Sequence, residues 1–358
     1  VPEDAGHARC LDSYARRVRC ACGGPDKVAL QADGHALRCR CCGAGYALFP
    51  EAGYADLRPA VDMGEGTHYA DHEFQERLGV TDAPPVLSAR IKADMMRRML
   101  RLAPGDDVLD LGCGAGKLAL FAGRGGVRAA GLDVAPYFLE RAAKAVDLVL
   151  GDLRRLPFRK GAYPRAFSLD VLEHLTQGDL DDVLVEARRT VGADGRLFVY
   201  THAMESSRLA GFQRAVNRLA RRLGEKGLID HEREAMRKSD HRNAIRSHEH
   251  FEELCARAGL RVSRRRYYNV VVKAVVEDLL LRLYEQARRG RGRAPASAAD
   301  GHGHPPPAPG TRVGARAPGA LALAVARLLT WGLKLDVALF GRIRTGPFFG
   351  LLEPAPRR

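Results

Sequence analysis

The sequence predicts an α/β fold: a doubly wound, mostly parallel sheet with helices on both faces, a small N-terminal β domain and a helical elaboration at the C-terminal end. Two observations carry the prediction. From Ile91 onward the short apolar runs VLDLG, AAGLD, VDLVLGD, AFSLD and RLFVYT alternate with alanine- and leucine-rich stretches of helical period. Parallel strands need such alternation, because each return to the same sheet edge requires a crossover helix. Six of the eight cysteines, Cys10, Cys20, Cys22, Cys39, Cys41 and Cys42, lie in the first 42 residues, whereas Cys113 and Cys255 stand alone. Such clustering marks a compact head, and in a reducing compartment it indicates a metal rather than disulfides.

The 358 residues, 46% of them hydrophobic, suffice for roughly two cores at about 150 residues each. In chain order, residues 15–60 form the Cys- and Gly-rich head and residues 61–286 the main domain. Within that domain, residues 203–246 interrupt the rhythm as a helical, heavily charged insertion. A helix over 250–258, closed by Gly259, and a strand over 260–268 resume it. Residues 287–318 are rich in Pro, Gly, Ala and Arg, cannot bury enough apolar surface to order themselves, and read as a disordered linker. A flexible tract organises no metal geometry around its His302 and His304.

Residues 319–358 then supply an amphipathic helix and a final apolar strand, TGPFFGLLEP. Leu321, Val325, Leu328, Trp331, Leu335 and Leu339 share one helical face, while Arg327, Thr330 and Lys334 share another. The apolar face is expected to close over the protein's own core; the other outcome is peripheral contact with a membrane through residues 319–341.

Lysine and arginine total 57 against 43 acids, a net charge of +14. The balance favours an anionic partner such as RNA, phospholipid or a phosphorylated substrate, although a coding bias toward arginine accounts for it equally well. No stretch reaches the ~18 uncharged apolar residues of a transmembrane segment. VPEDAGHARC lacks the basic and apolar regions of a secretory signal. The expected location is therefore cytoplasmic.

VLDLGCGAGKLAL, residues 108–120, places Gly112, Gly114 and Gly116 directly after an apolar run. A phosphate-cradling loop needs G-x-x-x-x-G-K-[ST], but Leu118 follows Gly116-Lys117 and Leu111 stands five residues before Gly116. A dinucleotide fingerprint needs its third glycine one residue later than Gly116, which weakens that reading without removing it. Asp133, 21 residues after Gly112, suits ribose hydroxyls in either a nicotinamide or another adenosine site. Asp110 and Asp152 discriminate better. An adenosine carrying an amino-acid tail offers an ammonium and an adenine amine to two carboxylates, whereas a dinucleotide would bring two phosphates to Asp110.

The runs VLDLGCGAGK, GLDVAP, VLGDLRRLPF, SLDVLEHL and GRLFVY, in this order and spacing, resemble the class I S-adenosylmethionine-dependent methyltransferases of Rossmann-like fold. The resemblance is strong over about residues 90–201 and weaker over 248–268. It implies that Gly112, Gly114 and Gly116 admit the methionine portion of S-adenosylmethionine, with Asp110 positioning the loop. It further implies that Asp133 takes the ribose hydroxyls, Val134 packs on the adenine, and Asp152 with Leu153 holds the adenine edge. Asp170 and His174 would line the pocket. One departure is Tyr163-Pro164, where such proteins often carry Phe-Asp before the fourth strand. The proline forces an extended entry there.

In the head, Cys39 and Cys42 form one knuckle of a zinc ribbon, and 16 residues separate Cys22 from Cys39. The other knuckle, Cys20-Ala-Cys22, is one residue short. With the following GYADLRP, the head resembles the zinc ribbons joined to some class I methyltransferases, including ribosomal-RNA guanine methyltransferases. Cys20, Cys22, Cys39 and Cys42 are the candidate ligands of a structural Zn2+, with Cys10 or Cys41 as substitutes.

A sulfonium donor is already activated, so the protein need only align an acceptor and, for O or N acceptors, remove a proton. His202, at the end of the fifth apolar run, is the first candidate base, followed by His174 and His241, with His231 behind them. Arg90 or Tyr69, before the sheet, is placed to meet the cofactor's carboxylate. His248 and His250, opening a helix, are expected to be solvated or to cap it. The function these readings support is methyl transfer to an O, N or C acceptor on a small or lipid-like molecule. The alternatives are a ribosomal or transfer RNA methyltransferase and a non-catalytic cofactor-binding adaptor.

Overall fold

The head strands are short, and they run straight into the main sheet. The computed structural model describes residues 17–20, 31–33, 36–49, 52–58, 80–228, 241–269, 271–281, 283 and 319–356. The head contributes β1 (Gln31–Asp33), β2 (Ala36–Arg38), β3 (Gly45–Phe49) and β4 (Tyr54–Asp56), an antiparallel ladder. The ladder is continuous with the main domain, because β4 pairs in parallel with β7 (Asp147–Leu150), Tyr54 opposite Leu148.

The remaining apolar runs become β5 (Asp107–Leu111), β6 (Arg128–Asp133), β8 (Arg165–Leu169) and β9 (Arg196–His202), all parallel. Two further strands, β10 (Leu260–Tyr267) and β11 (Pro347–Pro354), complete the order β1-β2-β3-β4-β7-β6-β5-β8-β9-β11-β10. The apolar tail is thus the next-to-edge strand, antiparallel to both β9 and β10. The chain leaves β5 in opposite directions toward β6 and β8, which makes their carboxyl ends a topological switch point.

Because successive strand residues point to opposite faces, Leu109, Ala166 and Leu197 meet one core while Val108, Phe167 and Phe198 meet the other. The second core is closed by α1 (Leu87–Leu100), α2 (Lys117–Ala122) and α3 (Glu140–Ala145), the first by α4 (Gln177–Val191). Thr176 and Asp179 form a reciprocal capping box that fixes where α4 starts. The insertion forms α5 (Ala210–Glu225); residues 229–240, with His231, lie outside the described residues, as do Tyr69, Cys10, Cys22, His302, His304 and residues 284–318. Then come α6 (His248–Arg257), α7 (Val271–Val275) continuing into a π-helical turn Val276–Leu281, and α8 (Ala320–Phe340).

Helix α8 overturns the expectation for its apolar face. It does pack on α1 and α7, but through Ala326, Leu329, Thr330, Leu333, Asp336 and Val337. Val325, Leu328, Trp331, Leu335 and Leu339 point outward; the side chain of Leu321 lies outside the described residues. The reason is chemical. The Thr330 hydroxyl accepts the Leu87 amide at 2.8 Å, and the Asp336 carboxylate accepts the Val272 and Lys273 amides at 2.8 and 3.0 Å. These two polar side chains satisfy the otherwise unpaired N-terminal amides of α1 and α7, so the inward face is chosen by capping. A second correction concerns His248, which is fully buried, its Nε2 2.8 Å from the Thr345 carbonyl oxygen; Ser247 is the cap of α6.

Candidate active site

Every residue of the loop after β5 serves a turn that brings backbone to the switch point. Gly112, Gly114 and Gly116 all adopt left-handed conformations, with φ of 79°, 51° and 78°. A Cβ on Gly112 would lie 2.5 Å from Val171 Cγ2 and one on Gly116 2.8 Å from Ala142 Cβ, whereas one on Gly114 would meet nothing within 4 Å. The loop is therefore clamped at both ends and open in the middle. Asp133, at the carboxyl end of β6, grips it: Oδ2 accepts the Gly114 amide at 2.7 Å and Oδ1 the Ala135 amide at 3.1 Å.

Asp110 is buried at the end of β5. Burial and the neighbouring charge of Asp133 raise its carboxyl well above the usual range, opposed by the Ala119 amide. Burial likewise raises Asp133, opposed by the amides of Ala135, Gly114 and Val134. Two buried carboxyls beside open glycine backbone offer acceptor oxygens to a ligand that brings hydroxyls and an ammonium. The reversed strand β11 between β9 and β10 also departs from the strand order of dinucleotide-binding sheets.

Asp152 follows β7 and caps a short turn over Leu153–Arg155, accepting the Arg154 amide at 2.8 Å and its guanidinium at 3.0 Å. Val134 and Leu153 are half-buried, Val134 against the second core and Leu153 against the first. Asp170 follows β8 in the left-handed region, φ 57°, and its carboxylate accepts from Lys92 of α1 at 2.7 Å. Lys92 also lies 4.3 Å from the ring centre of Tyr200. Arg90, by contrast, pairs with Asp94 on its own helix at 2.7 Å and stacks on Phe121. Tyr163 is packed edge-on against Phe158, so the Tyr163-Pro164 entry is accommodated without loss of packing.

The three candidate histidines gather around one residue that sequence reasoning missed. Glu173 is 1% exposed; its Oε2 accepts the Thr201 hydroxyl at 3.0 Å and its Oε1 lies 3.3 Å from His202 Nδ1. Burial alone would raise its carboxyl, but the hydrogen bond and charge of His202, its own amide and nearby His174 outweigh burial and hold it at about 2. His174 stacks edge-on against His241 with ring centres 4.6 Å apart. The Arg242 and Asn243 amides donate to the Glu173 carbonyl at 2.8 and 3.0 Å, tying the end of the insertion to the site. The arrangement is an imidazole oriented by a buried carboxylate at the carboxyl end of a strand, which leaves Nε2 as the nitrogen not engaged by Glu173. Its sequence signal was an acid inside the apolar run VLEHL.

In the head, Cys20, Cys39 and Cys42 converge with their sulfurs within 4.8 Å of one another. Cys39 starts a knuckle in which the Gly43 amide returns to its carbonyl at 3.0 Å and the Cys41 amide points at its sulfur at 3.3 Å. Burial raises the Cys39 thiol, yet the Cys42 and Cys41 amides and the thiols of Cys20 and Cys42 bring it down to about 7. Cys20 Sγ also lies 2.9 Å from the Tyr46 hydroxyl, and Cys41 is exposed.

Residues 108–195 match the family model described as a methyltransferase domain. The chain is 34% identical over 164 residues to an uncharacterised 37.1 kDa protein in transposon TN4556 of Streptomyces fradiae, covering 43% of this chain and 45% of that protein. It is 30% identical over 139 residues, 37% of this chain and 52% of the relative, to a malonyl-[acyl-carrier protein] O-methyltransferase of Serratia marcescens. Among solved structures, phosphoethanolamine N-methyltransferase 2 of Haemonchus contortus in complex with S-adenosyl-L-methionine aligns with a TM-score of 0.46 and 13% identity, over 83% of this chain and 62% of that chain. The chain spans about half the length of the curated relatives it matches.

Proposed function

We propose that the chain transfers a methyl group from S-adenosylmethionine to an O, N or C acceptor on a small or lipid-like molecule. The observation that carries this reading is the grip of Asp133 on the open glycine loop at the β5–β8 switch point. The residues present fit the cofactor. Gly114 leaves a cradle that a side chain would fill, and each Asp133 oxygen, occupied by one loop amide, retains a lone pair for a ribose hydroxyl. Asp110 lies behind the loop, Val134 flanks the adenine position, and Asp152 with Leu153 borders its edge. S-adenosylmethionine, when bound, supplies a methyl already activated by the sulfonium.

The chain's own residues then orient the acceptor and handle its proton. His202 takes the proton from an acceptor O–H or N–H at Nε2, while Glu173, kept ionised, fixes the imidazole through Nδ1 and stabilises the imidazolium that forms. Lys92 holds Asp170 at the pocket margin beside Tyr200. The match of 108–195 to a methyltransferase domain supports the chemistry, and the O-methyltransferase relative is in keeping with a small acceptor.

Incubation with methyl-labelled S-adenosylmethionine and separate lipid, small-metabolite, RNA and protein fractions tests the reading. Label in the lipid or small-metabolite fraction is expected. Label confined to RNA would transfer the function to the alternative that the zinc-ribbon resemblance and positive charge suggest, and label in none would leave the adaptor reading.

In the head, Cys20, Cys39 and Cys42 are three ligands of a structural zinc, with Cys22 proposed as the fourth. Metal analysis of protein purified under reducing conditions should find one equivalent. Less than half an equivalent defeats the assignment.

A further inference from the structure

Helix α8 holds its most apolar face in water. Val325, Leu328, Trp331, Leu335 and Leu339 are exposed, Leu328 by 72% and Trp331 by 70%, and they make up five of the eleven large apolar side chains exposed among the described residues. Contiguous apolar surface of this kind marks an interaction site rather than a solvated face. The helix cannot roll to hide it. Rotation would strip the Leu87 amide from Thr330 and the Val272 and Lys273 amides from Asp336.

The margins indicate what covers the face. Arg327 and Lys334 run along one edge by helical spacing, and exposed Arg342 follows the C-terminal end. Lys334 lies 4.6 Å from the ring centre of Trp331 and 3.4 Å from Asp94. The single acid of α8, Asp336, is buried on the far side. Helix α5, which packs on the same α7, adds exposed Arg214, Arg218, Arg221 and Arg222. A second copy seated face to face would bring cations to cations, with no exposed carboxylate on α8 to pair them. A lipid surface rich in anionic headgroups supplies both the charge and an apolar interior.

We propose that α8 docks in the plane of an anionic phospholipid membrane, with Leu328, Leu335 and Leu339 immersed, Trp331 at the boundary, and Arg327 and Lys334 among the headgroups. Tryptophan and long cationic side chains suit that position because each has an apolar body and a polar tip. No described helix is long and apolar enough to cross a membrane, so the contact is in-plane. Docking would bring the pocket close to the lipid. The α8 residue Thr330 binds Leu87 at the start of α1, and five residues further along α1 Lys92 holds Asp170. The proposal stands apart from the methyl-transfer reading and is tested without activity.

Trp331 is the only tryptophan in the chain, so its fluorescence reports this face directly. Full-length protein is titrated with vesicles of equal phosphatidylglycerol and phosphatidylcholine, and with phosphatidylcholine vesicles alone. The expected result is a blue shift of emission with the anionic vesicles, quenching by brominated acyl chains, and partition at least about ten-fold weaker for neutral vesicles. L328D/L335D, altered only at exposed positions, should keep the thermal melt and lose the shift. No shift with anionic vesicles overturns the proposal, as does equal binding to neutral ones. A vesicle-independent shift that grows with protein concentration, accompanied by a doubled sedimentation mass, also overturns it by naming a second copy as the occupant.

Discussion

Glu173→Gln removes one charge from a buried site while keeping its shape. The carboxylate is 1% exposed and is held at about 2, against an ordinary 4.5, chiefly because His202 at 3.3 Å outweighs the cost of burial. A depression of that size corresponds to about 3 kcal/mol in favour of the ionised form, at about 1.4 kcal/mol per unit. Because the folded value lies below the unfolded one, this stabilisation is complete above about pH 4.5 and is lost as the pH falls through about 2. Urea unfolding of the parent and E173Q should therefore differ by about 3 kcal/mol at neutral pH and converge as the pH is lowered through that window. The Thr201 hydroxyl can still donate to the amide oxygen, so the difference reports the charge and not the hydrogen bond alone. A difference that is the same at both ends of the window, or below about 1 kcal/mol at neutral pH, would refute the reasoning. The pair would then be held by packing and not by charge.

Asp133→Ala and Asp152→Ala should each weaken S-adenosylmethionine binding by about 1 to 3 kcal/mol in calorimetry; unchanged affinity in both would remove the site assignment. Gly114→Ala meets open space and should cost only the left-handed strain of about 1 to 2 kcal/mol while filling the cradle, so affinity falls more than stability. Gly112→Ala drives its Cβ to 2.5 Å from Val171 Cγ2 and should lower the melting temperature clearly more; equal melts for the two variants would contradict the clamped-ends description. His202→Asn should reduce kcat by about 10²-fold or more with little change in KM. An unchanged kcat would assign the base elsewhere.

Elements whose local chemistry admits one solution were legible before the structure. Three glycines in five positions after an apolar run specify left-handed backbone, and Asp133 then falls one strand away at the same sheet edge. Glu173 was not legible, because an acid between leucines and a histidine in VLEHL reads as a polar interruption until Thr201 and His202 arrive from another strand. Lys92 escaped for the same reason: its partner Asp170 is 78 residues away. For α8 the pattern misled, since the helix is apolar on both sides and the deciding residues were the polar ones, Thr330 and Asp336. The head was read from its cysteines as a unit of its own, whereas the pairing of Tyr54 with Leu148 lies in backbone register that no side-chain pattern displays.

The position of β11 has a consequence for how the chain is made. Strands β9 and β10 both depend on Pro347–Pro354 for their shared neighbour, so neither is paired on that side until residue 354 has left the ribosome. Until then Leu197–His202 presents an apolar, half-paired edge, and β10 has no sheet to join. Completion of this side of the sheet is therefore gated by β11. Chains truncated between residues 341 and 346 should be held by chaperones or proteolysed, while chains that include Pro347–Pro354 can pair β9 and β10 through β11.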